Sequence, residues 1–368
     1  MNSLRVTVIG CGIAGASVAT MLARRGHRVT LLEQSHRVGP VGAGILLQPA
    51  GQDVLWEMGL LDEVVARAEP IRSIEADRIT RHGRRRLVRI PYGHRHAFGL
   101  HRGDLFASLH DALLDAGVDL QLGRRTDAVP TDVDLVIIAD GSRSSLRTHV
   151  DPDAKVHEYT HGALWAVGKG TVVRGRLFQV ARGTTILCGL LPMGDDRCSL
   201  FWGLPLQEEA ALRFAGPGGF LEQVRAAMPE VESILTGLTS LDDLTLATYR
   251  HVRMRRWHRG NVVVIGDAAH AMSPHLGQGV NLALCDAKAL ADAIDASGDV
   301  LTALSRYERK RRRQLRWYSL VTRRFSPFFQ GDRDWLARPR DWALPWLPQV
   351  PGVGRVMRKT LRGEAFLK

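Results

Sequence analysis

The sequence predicts an α/β fold in which a Rossmann-like dinucleotide-binding domain is interleaved with a strand-rich second domain and followed by a C-terminal helical segment. Three observations predict it. Short apolar runs of the kind that form strands buried on both faces occur near both ends, at 6–9, 134–141 and 261–266. Glycine-rich turns that open helices follow the first and the last of them. The stretch between, 151–250, is dense in strand patterns, and no Gly/Ser-rich linker separates two halves. Any domains are therefore built from separated pieces.

In order, Val6, Val8 and Ile9 make the first strand, and Gly10, Cys11, Gly12, Ile13, Ala14 and Gly15 then spell G-x-G-x-x-G as an amphipathic helix begins. Gly10 permits a tight turn, Gly12 lets the backbone approach a pyrophosphate, and Gly15 lets the helix press on the strand, while free N–H groups and the helix dipole favour the anion. A second strand, 28–32, delivers Glu33, which suits ribose hydroxyls and would repel a 2′-phosphate, so the ligand is FAD or NAD rather than NADP. A glycine loop, RVGPVGAGILLQP, and a helix around 52–66 come next. Residues 71–90 alternate loosely and turn at His82-Gly83, as a hairpin does. Residues 101–117 return to helical spacing through Leu105, Leu109, Ala112 and Leu113, and 134–141 is a buried strand ended by a turn. The strand-rich stretch carries a helix near 219–228. NVVVIGDAAHAM then restores a buried strand before a long helix with Val280, Ala283, Leu284, Ala287, Leu290, Ala291 and Ile294 at helical period. The expected boundaries are 1–70, 97–150 and 251–300 for the nucleotide domain, 71–96 and 151–250 for the substrate domain, and 301–368 for a helical cap.

Composition narrows the function class. At 368 residues, 45% hydrophobic and 24% charged, the chain is an ordinary globular protein of about two domains. No apolar run approaches a membrane span, and the first strand starts too close to Met1 for a signal peptide. Cys11, Cys188, Cys198 and Cys285 show neither C-x-x-C spacing nor a histidine cluster, so the expectation is a reduced, cytoplasmic setting without a metal site. Cys11 reads as a small apolar residue of the turn. The net charge of +12 raises nucleic acid, but only six of the 50 basic residues are lysine and no nucleic-acid partner is expected. The densest basic run, 306–325, interleaves Trp317, Tyr318 and Phe325; it reads as a helix packed by its aromatic side, ahead of a contact with a membrane surface. The tail 334–354 is expected to cap the substrate domain with Trp335, Trp342 and Trp346 packed inward.

A last motif chooses between the nucleotides. Residues 262–284 deliver Gly266 and Asp267 from a strand, pass Pro274, and place Gly277 and Gly279 before another helix N-terminus. One glycine helix serves a pyrophosphate; two serve a larger ligand. The G-x-G-x-x-G with Glu33, DLVIIADGSRSSLR at 134–147 and GDAAHAMSPHLGQGVN at 266–281 resemble, in order and spacing, the three fingerprints of single-component FAD-dependent aromatic hydroxylases, the para-hydroxybenzoate hydroxylase class.

The resemblance implies that Gly10, Gly12, Ile13, Ala14, Gly15, Glu33 and Gln34 hold the ADP half of FAD, and that Arg37 and Arg102 contact nucleotide or phosphate. It implies that Asp140 and Gly141, with Arg147, form the second motif, that Asp267 binds the flavin chain, and that Gly44, Gly277, Gly279, Val280 and Asn281 lie along the ring. Gly42, Ala43 and Gly44 would let flavin and nicotinamide approach closely. Pro274, His275 and Gly277 would stand at the reacting face, with His275 either a base for a phenolic proton or an orienting residue. Ala50 and Ala271 depart from the family's usual Asn and Pro, and 126–133 is shorter than the strand pair usual there. The implied activity uses NADH or NADPH and O2 to hydroxylate an electron-rich phenolic or polycyclic molecule through a flavin C4a-hydroperoxide. The competing expectations are an FAD-dependent reductase or dehydrogenase of a lipid-like substrate and a non-catalytic FAD-binding protein. A halogenase would need a lysine by the substrate and a Trp-x-Trp signature, and no Trp-x-Trp occurs. Trp165, Phe178, Phe201 and Trp202 lie on strands whose faces the sequence does not assign, and oligomeric state is open.

Overall fold

In the computed structural model, which describes residues 2–37, 43–235, 238, 240 and 243–367, the chain forms three sheets. The first has six strands, and its core is parallel. Arg5–Ile9 lies between Arg28–Leu32 and Leu135–Ile138, and Val262–Val264 extends the far side. Every residue of Leu135–Ile138 and Val262–Val264 is buried, as continuous Val/Ile/Leu runs require when helices cover both faces. Helix Ile13–Arg24 packs on helix Gly279–Asp295, both dense in alanine, and closes one side of this sheet.

The second sheet has seven strands. The hairpin Ser73–Thr80 and Gly83–Pro91, with Thr80 opposite Gly83, joins it through a parallel pairing of Ser73–Thr80 with Arg176–Arg182. Four strands of the middle stretch, Lys155–Lys169, Arg176–Arg182, Ile186–Gly194 and Arg197–Pro205, and then Thr245–Arg253 complete it. Alternation sorts the aromatics. Leu164, Phe178 and Trp202 fall on the face covered by helix Pro217–Ala227, where Trp202 meets Phe220 edge-on with centroids 5.8 Å apart. Trp165 and Phe201 pair on the opposite face, centroids 5.4 Å apart.

A third, three-stranded sheet, Gly44–Leu47, Ala97–His101 and Glu69–Ile71, joins the other two and was not legible in the sequence. It approaches closely at glycines. A Cβ on Gly44 would lie 2.7 Å from Ser199 Cβ, and one on Gly99 would run into the Pro192 carbonyl oxygen.

Two expectations change. The helix expected around 52–66 is two helices, Pro49–Glu57 and Leu61–Ala66, because Gly59 takes φ +74 between them. The tail does lie against the second sheet, where Leu344 joins Leu87, Val88, Ala181 and Leu187, but not through its tryptophans. Trp335, Trp342 and Trp346 are 64%, 77% and 62% exposed. The basic run lies inside the long helix Val300–Phe329, which buries Tyr307, Gln314, Leu315, Tyr318 and Thr322 and, against expectation, Arg311. The four cysteines are free and buried, and burial pushes the Cys11 thiol up to about 12, as for a packing residue.

Candidate active site

Strand register assembles the site. Ile9 is level with Leu32 and Ile138, and Ile138 with Val264, so Gly10, Glu33, Ala139-Asp140 and Ile265-Gly266-Asp267 leave the parallel sheet along one carboxyl edge. The chain order reverses between Arg5–Ile9 and Leu135–Ile138, and a crevice outside the carboxyl ends at such a switch point is where open α/β sheets bind ligands.

The edge is built mainly of backbone. Gly10, at φ +100, could not carry a side chain: its Cβ would lie 2.6 Å from Ala139 O. A Cβ on Gly15 would strike the Gly10 carbonyl oxygen, whereas one on Gly12 would meet nothing within 4 Å. Gly10 and Gly15 therefore serve packing, and Gly12 faces open space at the helix start. Helix Ile13–Arg24 has no capping side chain and no acid in its first turn, so its first N–H groups remain available to an anion. Glu33 braces the turn, its Oε2 accepting from Cys11 N at 2.8 Å and its Oε1 from Ser35 N at 2.9 Å. Gln34 and Arg37 are exposed beyond it. Gly42 lies outside the described residues.

A second helix start follows the Pro274–Leu276 turn. Helix Gly279–Asp295 likewise has no side-chain cap and no acid in its first turn, and a Cβ on Gly279 would meet nothing within 4 Å. Gly277 takes the left-handed conformation at φ +58. Asn281, fully buried, ties this turn down: its Oδ1 accepts from Gln48 N, and its Nδ2 donates to Leu46 O and Gly277 O. Its side chain is thus spent on backbone, and Val280 beside it is half-buried.

Charges stand along the carboxyl edge of the sheet. Asp267 shows accessible surface there while protein encloses its other sides; that loss of water raises its carboxyl above the usual range, against the pull of His270, Arg102 and Arg147. Asp140 is also raised by burial, and its Oδ1 has no partner among the described residues. Arg147 is buried and clamps the Asp140-Gly141 turn, donating to Gly141 O, Ser142 O and Ser144 O, with Nη1 unpartnered among the described residues. Arg102 starts helix Arg102–Asp115, exposed, with its N–H on Ala43 O. These orphaned polar atoms and acid-free helix starts fit an extended dinucleotide with a pyrophosphate and polyol chain.

Beneath the edge lies a buried network that the sequence did not reveal. Asp286 accepts from Gly266 N at 2.9 Å and His270 Nε2 at 2.5 Å through Oδ2, and from Arg311 Nε at 2.7 Å through Oδ1. Burial alone would raise this carboxyl, but His270 and Arg311 outweigh it and hold it at about 2. A signal existed. Within the long helix, Tyr307, Arg311, Gln314, Tyr318 and Thr322 recur at spacings of three and four, the inward stripe.

The turn Pro274–Leu276 carries His275. His275 Nδ1 lies 2.6 Å from Ser273 Oγ and 3.2 Å from Ser326 Oγ, while its Nε2 is buried and makes no hydrogen bond of normal geometry among the described residues. Burial, with His161 nearby, lowers its pKa to about 4, so the ring is neutral at physiological pH. Gln330, beside His275, donates to Gly162 O at 3.2 Å and so links this turn to the second sheet. Tyr249, beside Trp165, has its hydroxyl raised to about 12 by burial.

Comparison with known proteins agrees with this geometry. A model described as FAD binding domain matches residues 130–316, and one described as FAD dependent oxidoreductase matches residues 5–46. The chain is 32% identical over 340 residues to the 3-amino-4-hydroxybenzoate 2-monooxygenase of Streptomyces cremeus, covering 83% of both chains. It is 30% identical over 356 residues to the 6-hydroxynicotinate 3-monooxygenase of Bordetella bronchiseptica, covering 83% of this chain and 87% of that one. In fold it is similar to Klebsiella pneumoniae HpxO complexed with FAD, at a TM-score of 0.82 and 21% identity over 99% of both chains.

Proposed function

From the premise that this chain belongs to the FAD binding domain family and is a flavin-dependent monooxygenase of the single-component aromatic-hydroxylase class, using NAD(P)H and O2, we propose that it hydroxylates an electron-rich phenolic or polycyclic small molecule. Both relatives named above carry a ring hydroxyl in their substrates' names, which supports a phenolic ring. Bound FAD supplies the activation of dioxygen; the residues of the chain supply place and environment. The observations that carry the reading are two uncapped, acid-free helix starts, together with Asp140 and Asp267 leaving neighbouring strands at one carboxyl edge.

In this reading Gly10, whose N–H is donated to Leu32 O, shapes the turn, Gly12, Ile13, Ala14 and Gly15 give backbone N–H groups to the pyrophosphate, Glu33 and Gln34 take the ribose, and Arg37 and Arg102 approach the phosphates. Asp267 binds hydroxyls of the flavin chain, and Gly44, Gly277, Gly279, Val280 and Asn281 let the ring lie against backbone. Residues 1–70, 97–150 and 251–300 form the flavin domain, 71–96 and 151–250 the substrate domain, and 301–368 the cap.

The substrate sits between the Pro274–Leu276 turn and the face bearing Trp165, Phe201 and Tyr249. His275, with pKa about 4, is a weak base. It is suited to orienting the turn rather than to taking up a substrate's proton. The test is steady-state coupling with FAD-loaded enzyme. A phenolic substrate is expected to accelerate NAD(P)H oxidation and keep peroxide low, and Phe201→Ala to retain full flavin content while losing coupling roughly tenfold. A Phe201→Ala enzyme that keeps wild-type coupling, with every substrate that couples in the parent, places the substrate elsewhere.

A further inference from the structure

The tail carries an amphipathic pattern turned inside out. Across Asp334–Leu336, Ala337–Ala343 and Leu347–Gln349, the positions Trp335, Arg338, Trp342, Trp346 and Val350 follow at spacings of three and four and are all exposed. The opposite stripe, Arg340, Leu344 and Leu347, is buried or half-buried. That inner side is firmly held. Arg340 donates to Gly183 O at 2.8 Å and Phe328 O at 2.7 Å, and Asp334 accepts from Thr184 N at 3.0 Å. The tryptophans are therefore presented outward by a fixed scaffold.

The charge around them is one-sided. Arg333, Arg338, Arg355 and Lys359 are exposed and have no carboxylate partner among the described residues. The carboxylates from Asp334 onward are already engaged, Asp334 with Thr184, Asp341 with Arg78 and Arg340, and Glu364 with Arg95, while Asp332 just before them is exposed, 3.9 Å from His161. The next helix, Val353–Leu361, packs on this region and adds exposed Val353 and Val356. A second copy of the chain meeting this face about a two-fold axis would set like charges together.

Tryptophan rings with unpaired arginines are the chemistry of a headgroup-level contact, where the ring enters the acyl boundary and the guanidinium meets phosphate. We propose that the face formed by Trp335, Arg338, Trp342 and Trp346 docks the protein on an anionic phospholipid surface. The contact belongs to this tail, not to the basic run of the long helix.

The test uses full-length FAD-loaded protein and vesicles of phosphatidylcholine alone or mixed with phosphatidylglycerol, read by co-sedimentation. The expected result is binding to the mixed vesicles, weakened by salt, and reduced roughly tenfold or more in Trp342→Ser/Trp346→Ser, which keeps its flavin. Three results overturn the proposal: no binding to the mixed vesicles, binding that the double variant leaves unchanged, or a dimer on size exclusion that the double variant dissolves. The last assigns the face to a second copy.

Discussion

The carboxyl edge of the parallel sheet and the inner face of the seven-stranded sheet meet at the Pro274–Leu276 turn, yet they are made of different material. The edge is made of backbone: strand register, positive-φ glycines and uncapped helix starts. The face is made of side chains, Trp165, Phe201 and Tyr249, on strands that many other residues would build equally well. A backbone site recognises what every member of a class shares, here phosphate and polyol. A side-chain site can be rewritten one residue at a time. In the proposed function the difference separates cofactor chemistry, carried by motifs, from substrate choice, carried by none.

The largest effect should follow a single methyl group placed in the edge. Gly15→Ala drives a Cβ into the Gly10 carbonyl, and the expected product is insoluble or flavin-free, read from the flavin absorbance per chain. Gly12→Ala, which meets nothing within 4 Å, should fold and weaken FAD alone. Equal behaviour of the two variants would remove the distinction between packing and ligand glycines.

The long helix Val300–Phe329 tests both regions because it runs under one and ends at the other. Arg311→Met leaves Asp286 buried with one cation fewer, an expected loss of about 3–5 kcal/mol in denaturant unfolding. Arg324→Met, exposed on the same helix, should cost within about 0.5 kcal/mol. Comparable losses would mean that Arg311 carries no special weight.

At the other end, His251 and His275 both have pKa values lowered to about 4, chiefly by burial. Between about 6.5 and 4 the unfolded chain binds protons that the folded chain refuses, so stability is full above this window and falls as pH drops through it. His251 alone, packed between Tyr159 and Ser319, should cost on the order of 2 kcal/mol by pH 5. Urea midpoints across this range check it, and His251→Gln should flatten the slope.

The same contrast explains what was legible. The turns at Gly10, Gly15 and Gly277 were readable because a close approach or a positive φ restricts which residues can stand there. The third sheet was not, since Gly44–Leu47 is four residues long and pairs with strands far along the chain. Arg311 was hidden by its surroundings, one arginine among many whose burial shows only in helical spacing. Trp335, Trp342 and Trp346 misled because an aromatic residue was assumed to seek the interior; here Leu344 and Arg340 anchor the segment instead. The face of each strand aromatic depended on a register that only the paired strands Lys155–Lys169 and Arg197–Pro205 fix.

The central claim is that the backbone edge and the side-chain face together deliver one oxygen atom from dioxygen to an aromatic ring. Turnover under isotopically labelled dioxygen, with a substrate that accelerates NAD(P)H oxidation, tests it most directly. The account predicts a product that carries one labelled oxygen atom, with the other recovered as water. A product formed at full rate without label, or formed equally well without oxygen, would contradict it and leave a flavin dehydrogenase in its place.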